Sequence, residues 1–139
     1  MALKYMTGKI PGELTSAKEV SDLFKTPFDA TARVMQVMAQ NGLLRSEQGA
    51  SGGYQICKDL SKVSVHDLVE MIDGPTALVK CLHNENPCEI KGTCNIVSPV
   101  TLLNKKLTEF YRGLSLKELL VIDRGTLTSP IASAEVTFG

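Results

Sequence analysis

The sequence predicts a mainly α-helical chain with a small β-wing, and three observations lead to this fold class. Apolar residues recur at helical spacing in two neighbouring segments near the N-terminus and in a longer segment near the C-terminus. Between them, two short runs typical of strands flank a glycine-rich stretch. With 139 residues, of which 43% are hydrophobic, the chain has the size of one domain with a modest core.

Charge, hydropathy and cysteine usage argue against several classes of protein. The 15 basic and 15 acidic residues leave no net charge, which argues against a strongly basic, non-specific nucleic-acid binder. No apolar run approaches the roughly 20 residues needed to cross a bilayer, and the N-terminus lacks signal-peptide features. We therefore expect a cytoplasmic protein with no membrane partner. Thiols stay reduced in that compartment, so four cysteines indicate metal or redox chemistry rather than disulfides.

Two helices are predicted at the start of the chain. Residues 1–6 have the pattern of the end of a helix, which breaks at Gly8. Ser16, followed three places later by Glu19, is a capping box. The apolar face that follows predicts a short helix over Ala17–Phe24.

A tight turn leads into a second helix. Lys25 and Thr26 form the turn, and Thr26 is a suitable N-cap. Pro27 suits the first helical position, and Asp29 favours the positive end of the helix dipole. The helical pattern continues until Gly42 stops it. Two helices joined by a short turn form a helix-turn-helix.

A β-hairpin wing is predicted next. Its strands cover residues 43–46 and 54–57, and a glycine-rich tip at residues 47–53 joins them. Ser64, with Asp67 at its third position, then caps another helix that ends at an Asp-Gly-Pro sequence. Together with the preceding elements, these features predict a winged helix-turn-helix.

A longer helix is predicted over residues 96–113. Its apolar stripe is too large for a lone helix beside so small a domain, which favours a C-terminal dimerisation helix. The stripe consists of Leu103, Leu107, Phe110 and Leu114. Ser115 and Glu118 form a second capping box for a brief final helix.

These elements divide the chain into four segments. Residues 1–75 form the predicted winged helix-turn-helix DNA-binding domain, and residues 76–95 form a cysteine cluster loop. Residues 96–122 comprise the dimerisation helix and the short helix after it. Residues 123–139 are polar with little periodicity, so we expect a flexible tail.

The loop contains Cys81, Cys88 and Cys94, with six and five residues between them. Thiolates gathered on one loop bind zinc or an iron-sulfur cluster, and these spacings suit a cluster better than the Cys-x-x-Cys knuckles of zinc modules. We predict an iron-sulfur cluster, either 2Fe-2S or 4Fe-4S, with zinc or incidental buried thiols as the alternatives. Cys57 is predicted to pack in the core, and His66 to be exposed.

The N-terminal half of the second helix of the helix-turn-helix is expected to enter the major groove, while the wing contacts phosphates or the minor groove. The predicted DNA-binding residues are Thr26, Pro27, Asp29, Ala30 and Arg33 on the helix, and Gln48, Ser51 and Tyr54 on the wing. Lys25, Gln36 and Arg45 are further candidates for contacts with phosphates or the minor groove. Arg33 is the main candidate because arginine bridges a guanine edge with two hydrogen bonds, although a solvated role is the alternative. Tyr54 is equally suited to packing the wing onto the body. A dimer with two such readers predicts a palindromic operator.

Several motifs give the chain a resemblance to a known family. After the helix-turn-helix come the sequence NGLL, the wing-tip motif GxxGGY at residues 49–54, the sequence IDGP, and three cysteines before a long helix. This order resembles the Rrf family of bacterial winged-helix transcriptional regulators, and in particular its iron-sulfur cluster-binding branch of the IscR, NsrR and RirA types. The family also includes the CymR type, and some of its members are cluster-free. The resemblance implies a homodimeric transcription factor, and in the cluster-binding branch the three cysteines hold the cluster.

The chain departs from the family pattern in three places. Many relatives carry an arginine at the wing tip, where this chain has Gln48, which lacks the attraction of a cation to a narrow groove. IscR-type proteins carry a histidine three residues after the third cysteine, where this chain has Val97. Relatives also begin with the first half of helix one, which in some members donates the fourth cluster ligand across the dimer. Other candidate fourth ligands, equally suited to solvent, are His83, Glu85 and Glu89.

The expected function is a DNA-binding transcriptional regulator, such as a repressor. An iron-sulfur cluster would control its operator binding in response to redox state, nitric oxide, or iron and cluster status. The alternative is a cluster-free dimeric regulator of the same fold that a protein partner or small molecule controls. An enzyme is not expected, because the chain has no Cys-x-x-Cys motif and no evident Cys-His pair.

Overall fold

The computed structural model describes residues 1–83 and 88–122, so the expected flexible tail at residues 123–139 lies outside the described residues. Its helices are α1 (Ala2–Thr7), α2 (Ala17–Phe24), α3 (Phe28–Gln40), α4 (Val65–Asp73), α5 (Val97–Gly113) and α6 (Leu116–Val121), and its strands are β1 (Leu44–Glu47) and β2 (Gly53–Ile56). Short 3₁₀ turns occur at Leu60–Lys62 and Lys80–Leu82. This mainly helical chain with one two-stranded hairpin confirms the predicted fold class.

The helix-turn-helix forms as predicted, with a correction at the start of α3. Lys25 has a φ of 55°, and this left-handed residue turns the chain out of α2. Thr26 was predicted as the N-cap of the next helix, but Pro27 occupies that position and no side chain caps α3. The Thr26 hydroxyl instead lies 2.8 Å from the hydroxyl of Thr31, one turn into the helix. The left-handed turn places the helix start one residue later than the prediction.

The core packs α1, α2, α3 and the wing around a few side chains. The largest fully buried apolar ones are Met35, Met38, Leu43, Leu44 and Leu116. Leu116 belongs to α6, so the end of the described chain helps to close a core built mainly by its first half. Lys4 in α1 also donates a hydrogen bond to the carbonyl oxygen of Leu120 in α6.

The wing is tied to the start of α2 by a third extended segment. Strands β1 and β2 are antiparallel, with Leu44 opposite Ile56. The N–H of Thr15 donates to the carbonyl of Tyr54 at 2.8 Å, and the reverse bond is 2.9 Å. A Cβ on Gly53 would lie 2.9 Å from the Thr15 carbonyl oxygen, so this close approach requires glycine. The hairpin is therefore held at a fixed angle to the helix-turn-helix.

Two matching helix starts, those of α4 and α6, join the end of α5 to the first half of the chain. Ser64 caps α4 as predicted and forms a full capping box with Asp67, and the predicted box of Ser115 and Glu118 forms at the start of α6. At the other predicted box, the Ser16 hydroxyl accepts from the N–H of Glu19, whose carboxylate binds Tyr5 and Lys9. Ser64 and Ser115 face each other in an antiparallel bridge that two backbone hydrogen bonds of 2.8 Å close. The C-terminal end of α5 is thus fixed against α4.

Two side chains do not lie where the sequence predicts. Strand β2 ends at Ile56, so Cys57 falls beyond it and is exposed, with its thiol donating to the carbonyl of Gly42 at 3.2 Å. His66 was predicted to be exposed but is buried, because α4 packs against both α3 and α5. Its Nε2 lies 3.5 Å from the carboxylate of Glu70.

Helix α5 begins one residue later than predicted and contains no buried residue. Leu102, Leu103 and Phe110 are all more than half exposed, while Leu107 and Leu114 are half-buried. The apolar face formed by the exposed residues is therefore left uncovered by the rest of the described chain. No helix among residues 1–83 and 88–122 is long and apolar enough to span a membrane.

Candidate nucleic-acid interface

Helix α3 turns one face to the core and another to solvent. Met35 and Met38 point inward and are almost completely buried. The opposite face carries exposed residues at spacings of four, three and four, which keep them on one side of a helix. This polar stripe consists of Asp29, Arg33, Gln36 and Gln40. It presents a carboxylate, a guanidinium and two amides, the groups that hydrogen-bond to base edges and phosphates.

Arg33 occupies the middle of the polar stripe. Its side chain is exposed, and no ion pair or hydrogen bond with the rest of the described chain engages its guanidinium. An arginine in this state can make a bidentate contact with guanine without first breaking an internal salt bridge. Arg33 is therefore an exposed and unengaged guanidinium in the middle of the polar stripe, and its role in DNA binding stays a prediction.

The N-terminal end of α3 offers a second kind of contact. Pro27, Asp29 and Ala30 are exposed, whereas Thr26 is half-buried and its hydroxyl is occupied by Thr31. No side chain caps the first N–H groups of this 13-residue helix. Free N–H groups at the positive end of a helix dipole attract phosphate.

The wing presents its predicted residues unequally. Gln48 and Ser51 are exposed at the tip. Tyr54 is half-buried and packs against the hydrophobic core, and its backbone pairs with Thr15, so its side chain has a clear packing role. On β1, Arg45 is exposed and forms an ion pair of 3.1 Å with Glu47. Arg45 therefore places a positive charge near the wing tip, whose own residue Gln48 is uncharged.

An open groove of about 880 Å³ separates the C-terminal half of α3 from the wing. Side chains from both walls line it, including Gln36, Gln40, Arg45, Gln48 and Cys57. A polar, open groove between a recognition helix and a wing can receive a sugar-phosphate backbone. The thiol of Cys57 lies on this groove and far in sequence from the other three cysteines.

Two exposed residues of α3 were missed by the sequence analysis. Gln40 extends the stripe by one turn, and its signal was the helical spacing from Arg33 and Gln36. Phe28 is the first residue of the helix and leaves 53% of its surface exposed. An aromatic residue seven positions before the buried Met35 suggests a core role from sequence, so only the structure reveals its exposure.

The three loop cysteines are dispersed in the structure. Cys81 lies in the second 3₁₀ turn, Cys94 precedes α5, and both are half-buried, as is Cys88. Among residues 1–83 and 88–122, no group of three or more Cys, His, Asp or Glu side chains is close enough to hold a metal ion. Three thiols are a suitable donor set for an iron-sulfur cluster, but the described arrangement does not bring them to one point.

One hydrogen bond attaches this loop to α5. The backbone N–H of Leu78 donates to the side-chain oxygen of Asn104 at 2.9 Å. Asn104 lies near the middle of α5, next to the exposed Leu103. The position of the loop is thereby linked to the helix that carries the uncovered apolar face.

A half-buried polar network holds α1 and the segment after it against the helix-turn-helix. The carboxylate of Glu19 in α2 accepts hydrogen bonds of 2.6 Å from the hydroxyl of Tyr5 and from the ammonium of Lys9. Both hydrogen bonds lower the pKa of Glu19, and the one from Lys9 has the larger effect. The hydrogen bond from Tyr5 to Glu19 in turn raises the pKa of Tyr5. The first helix of the helix-turn-helix is therefore fixed to α1 by charge as well as by packing.

Comparisons with known proteins agree with this geometry. The family model described as Rrf2, iron-dependent transcriptional regulator, matches residues 1–121. The HTH-type transcriptional regulator NsrR of Halalkalibacterium halodurans is 25% identical over 122 residues, which cover 85% of this chain and 82% of that protein.

Two solved structures share the fold at low identity. CymR, the global cysteine regulator of B. subtilis, superposes with a TM-score of 0.63 at 18% identity, covering 86% of this chain and 87% of that one. IscR of T. potens gives a TM-score of 0.60, also at 18% identity, covering 86% of this chain and 77% of that one. Because the family match spans nearly all of the described residues, the chain belongs to the Rrf2 family of transcriptional regulators and is not an enzyme.

Proposed function

We propose that this protein is a cytoplasmic, homodimeric regulator that binds a palindromic operator in double-stranded DNA. The observation that carries the proposal is the exposed polar stripe of α3, which lies beside the wing and has the core on its opposite side. Arg33 reads a guanine edge, and Asp29 and Ala30 lie nearest to the neighbouring bases. Gln48 and Ser51 at the wing tip contact the minor groove or phosphates.

The uncovered face of α5 is the proposed dimer interface. Leu103 and Phe110 are exposed in the single chain, and the helix has no buried residue. Pairing two such faces removes apolar surface from water, and the bridge between Ser64 and Ser115 transmits the position of α5 to the DNA-binding domain. A two-fold dimer presents two recognition helices to half-sites about one helical turn apart.

The loop cysteines are the proposed sensor. We propose that Cys81, Cys88 and Cys94 hold an iron-sulfur cluster, which when bound supplies redox or nitric oxide reactivity to this loop. The donor chemistry and the family resemblance support this proposal, while the dispersed positions of the cysteines do not. The loop joins α4 to α5 and is anchored on Asn104, so a change in its conformation reaches the dimer helix.

A cluster-free regulator is the second candidate, and a specific observation favours it. The described loop does not gather its cysteines, and the CymR structure shows that a cysteine regulator shares the fold. In this case a protein partner or a small molecule acts on the loop. The two candidates differ in iron content and not in the DNA-binding surface.

Iron and sulfide analysis of protein purified without oxygen decides between the two candidates. We expect iron and sulfide in matching amounts with visible absorbance, and Mössbauer spectra then distinguish a 2Fe-2S from a 4Fe-4S cluster. Cys88→Ala should abolish the absorbance, whereas Cys57→Ala, the matched control outside the loop, should retain it. An unchanged spectrum in Cys88→Ala would remove this cysteine from the ligand set. No iron after reconstitution would establish the cluster-free candidate.

A further inference from the structure

Phe28 is an exposed aromatic residue at the leading end of the recognition helix. Slightly more than half of its surface is open, whereas Met35, two turns later on the same side of α3, is completely buried. The apolar cluster that packs α3 onto the body does not include Phe28. Its neighbours Pro27 and Asp29 are exposed as well. The ring is therefore available to a ligand without any rearrangement of the core.

Helix geometry directs this ring toward the DNA bases. The Cα–Cβ bonds of a helix tilt toward its N-terminus, so the side chain of the first residue extends beyond the helix end. In helix-turn-helix proteins, the N-terminal residues of the recognition helix contact base edges in the major groove. Phe28 thus leads the helix into the groove, ahead of Asp29 and Arg33.

We infer that Phe28 contacts the C5-methyl group of a thymine and gives the operator a thymine preference at one position of each half-site. The inference rests on the proposed DNA-binding function. A phenyl ring has no hydrogen-bond donor for phosphate, so the free N–H groups at this helix end can attract phosphate while the ring itself favours an apolar group on a base edge. Among the base edges of the major groove, the thymine methyl is the apolar group.

The test removes the methyl group from DNA and the ring from the protein. The full-length protein, both iron-loaded and iron-free, selects its binding sites from a pool of random duplexes. Each thymine of the selected site is then replaced singly by deoxyuridine, which pairs identically but lacks the methyl group. Affinities are measured for the wild type, for Phe28→Ala, and for the matched control Leu23→Ala. Leu23 is 54% exposed on α2, so it controls for the loss of any exposed apolar side chain.

We expect deoxyuridine at one position of a half-site to weaken wild-type binding by about fourfold, the effect of one buried methyl group. The control Leu23→Ala should show the same loss. Phe28→Ala should bind thymine and deoxyuridine equally at that position, and its selected sites should no longer favour thymine there. Circular dichroism of Phe28→Ala should match the wild type because the ring is outside the core.

The outcomes separate this inference from the proposed function. Selected sites without methyl sensitivity, or equal methyl sensitivity in Phe28→Ala and the wild type, would overturn the role of Phe28 and leave DNA binding intact. Failure of both the iron-loaded and the iron-free wild type to select any sequence would overturn the proposed function and the inference together.

Discussion

The reading head and the cysteine loop of this protein are held in place by different means. The reading head, which we define as residues 17–56 with α2, α3 and the wing, contributes six of the ten buried hydrophobic side chains among the described residues. The cysteine loop, residues 76–95, contributes no buried side chain in its described part, residues 76–83 and 88–95. Burial therefore fixes the proposed DNA-reading surface, while the described part of the loop is attached to α5 by a hydrogen bond from Leu78 to Asn104.

This difference suits a regulator. A reader must present the same side chains to DNA each time, and a packed core ensures this. A sensor must change between arrangements of similar free energy, and a segment with little buried surface allows it. A ligand with different affinities for the arrangements of the loop can then shift their populations.

The largest expected effect tests the difference in packing directly. Met35→Ala removes a completely buried side chain of the reading head and should lower the free energy of unfolding by about 2–5 kcal/mol. Val79→Ala, at a 38% exposed position of the loop, should change it by no more than about 0.5 kcal/mol. Urea unfolding of both variants measures these values. A loss at Val79 as large as that at Met35 would show that the loop is part of the folded core.

The same contrast explains what the sequence could predict. The capping boxes at Ser64 and Ser115 and the left-handed turn at Lys25 depend on neighbouring residues, and the helices begin or end beside them. The bounds of the helix-turn-helix and the wing were therefore predictable to within about a residue. These bounds are set by hydrogen bonds between residues that are close in sequence, so short sequence patterns are enough to predict them.

Features that depend on distant packing were harder to predict. His66 has a polar side chain in a first helical turn, and only the packing of α3 and α5 around α4 buries it. Phe28 shows the reverse. Its helical spacing from the buried Met35 is typical of a core residue, but its side chain lies beyond the core and is 53% exposed. The three loop cysteines were predicted to converge on one metal centre, and the described structure does not assemble them. Residues that are close in sequence need not have side chains that are close in space when no core holds them, as in the cysteine loop.

An intermediate effect separates reading from packing within the reading head. Arg33→Ala should weaken operator binding by about 1–3 kcal/mol, because the guanidinium is exposed, lies outside the core and is the proposed guanine contact. The unfolding curve and the dimer mass in sedimentation should not change. Arg112→Ala, at an exposed arginine near the end of α5, is the matched control and should bind DNA normally. Undiminished binding by Arg33→Ala would place the reader elsewhere.

The smallest expected effect concerns the junction at the bridge between Ser64 and Ser115, where the start of α4 meets the start of α6. The pKa of Asp67 is lowered from its ordinary value of 3.8 by hydrogen bonds from the backbone N–H and then the hydroxyl of Ser64. The pKa of Glu118 is lowered from 4.5 by the hydroxyl and then the backbone N–H of Ser115. A carboxylate whose pKa is lower in the folded state stabilises the fold fully at pH values above its unfolded pKa. Both capping boxes therefore contribute their full stabilisation near neutral pH.

Acid should weaken this junction, and Ser64 and Ser115 should determine how strongly its stability depends on pH. Stability should fall as the pH drops from 4.5 through the lower folded pKa values, because protonation removes the carboxylate acceptors. The double substitution Ser64→Ala and Ser115→Ala should cost about 1 kcal/mol per cap at neutral pH and reduce the slope of stability against pH in this acid range. Urea unfolding from pH 7 to pH 3 measures both effects, with Ser98→Ala on the exposed start of α5 as the control. An acid slope as steep in the double variant as in the wild type would assign the acid sensitivity to other carboxylates, such as Glu19, and leave the junction insensitive to pH.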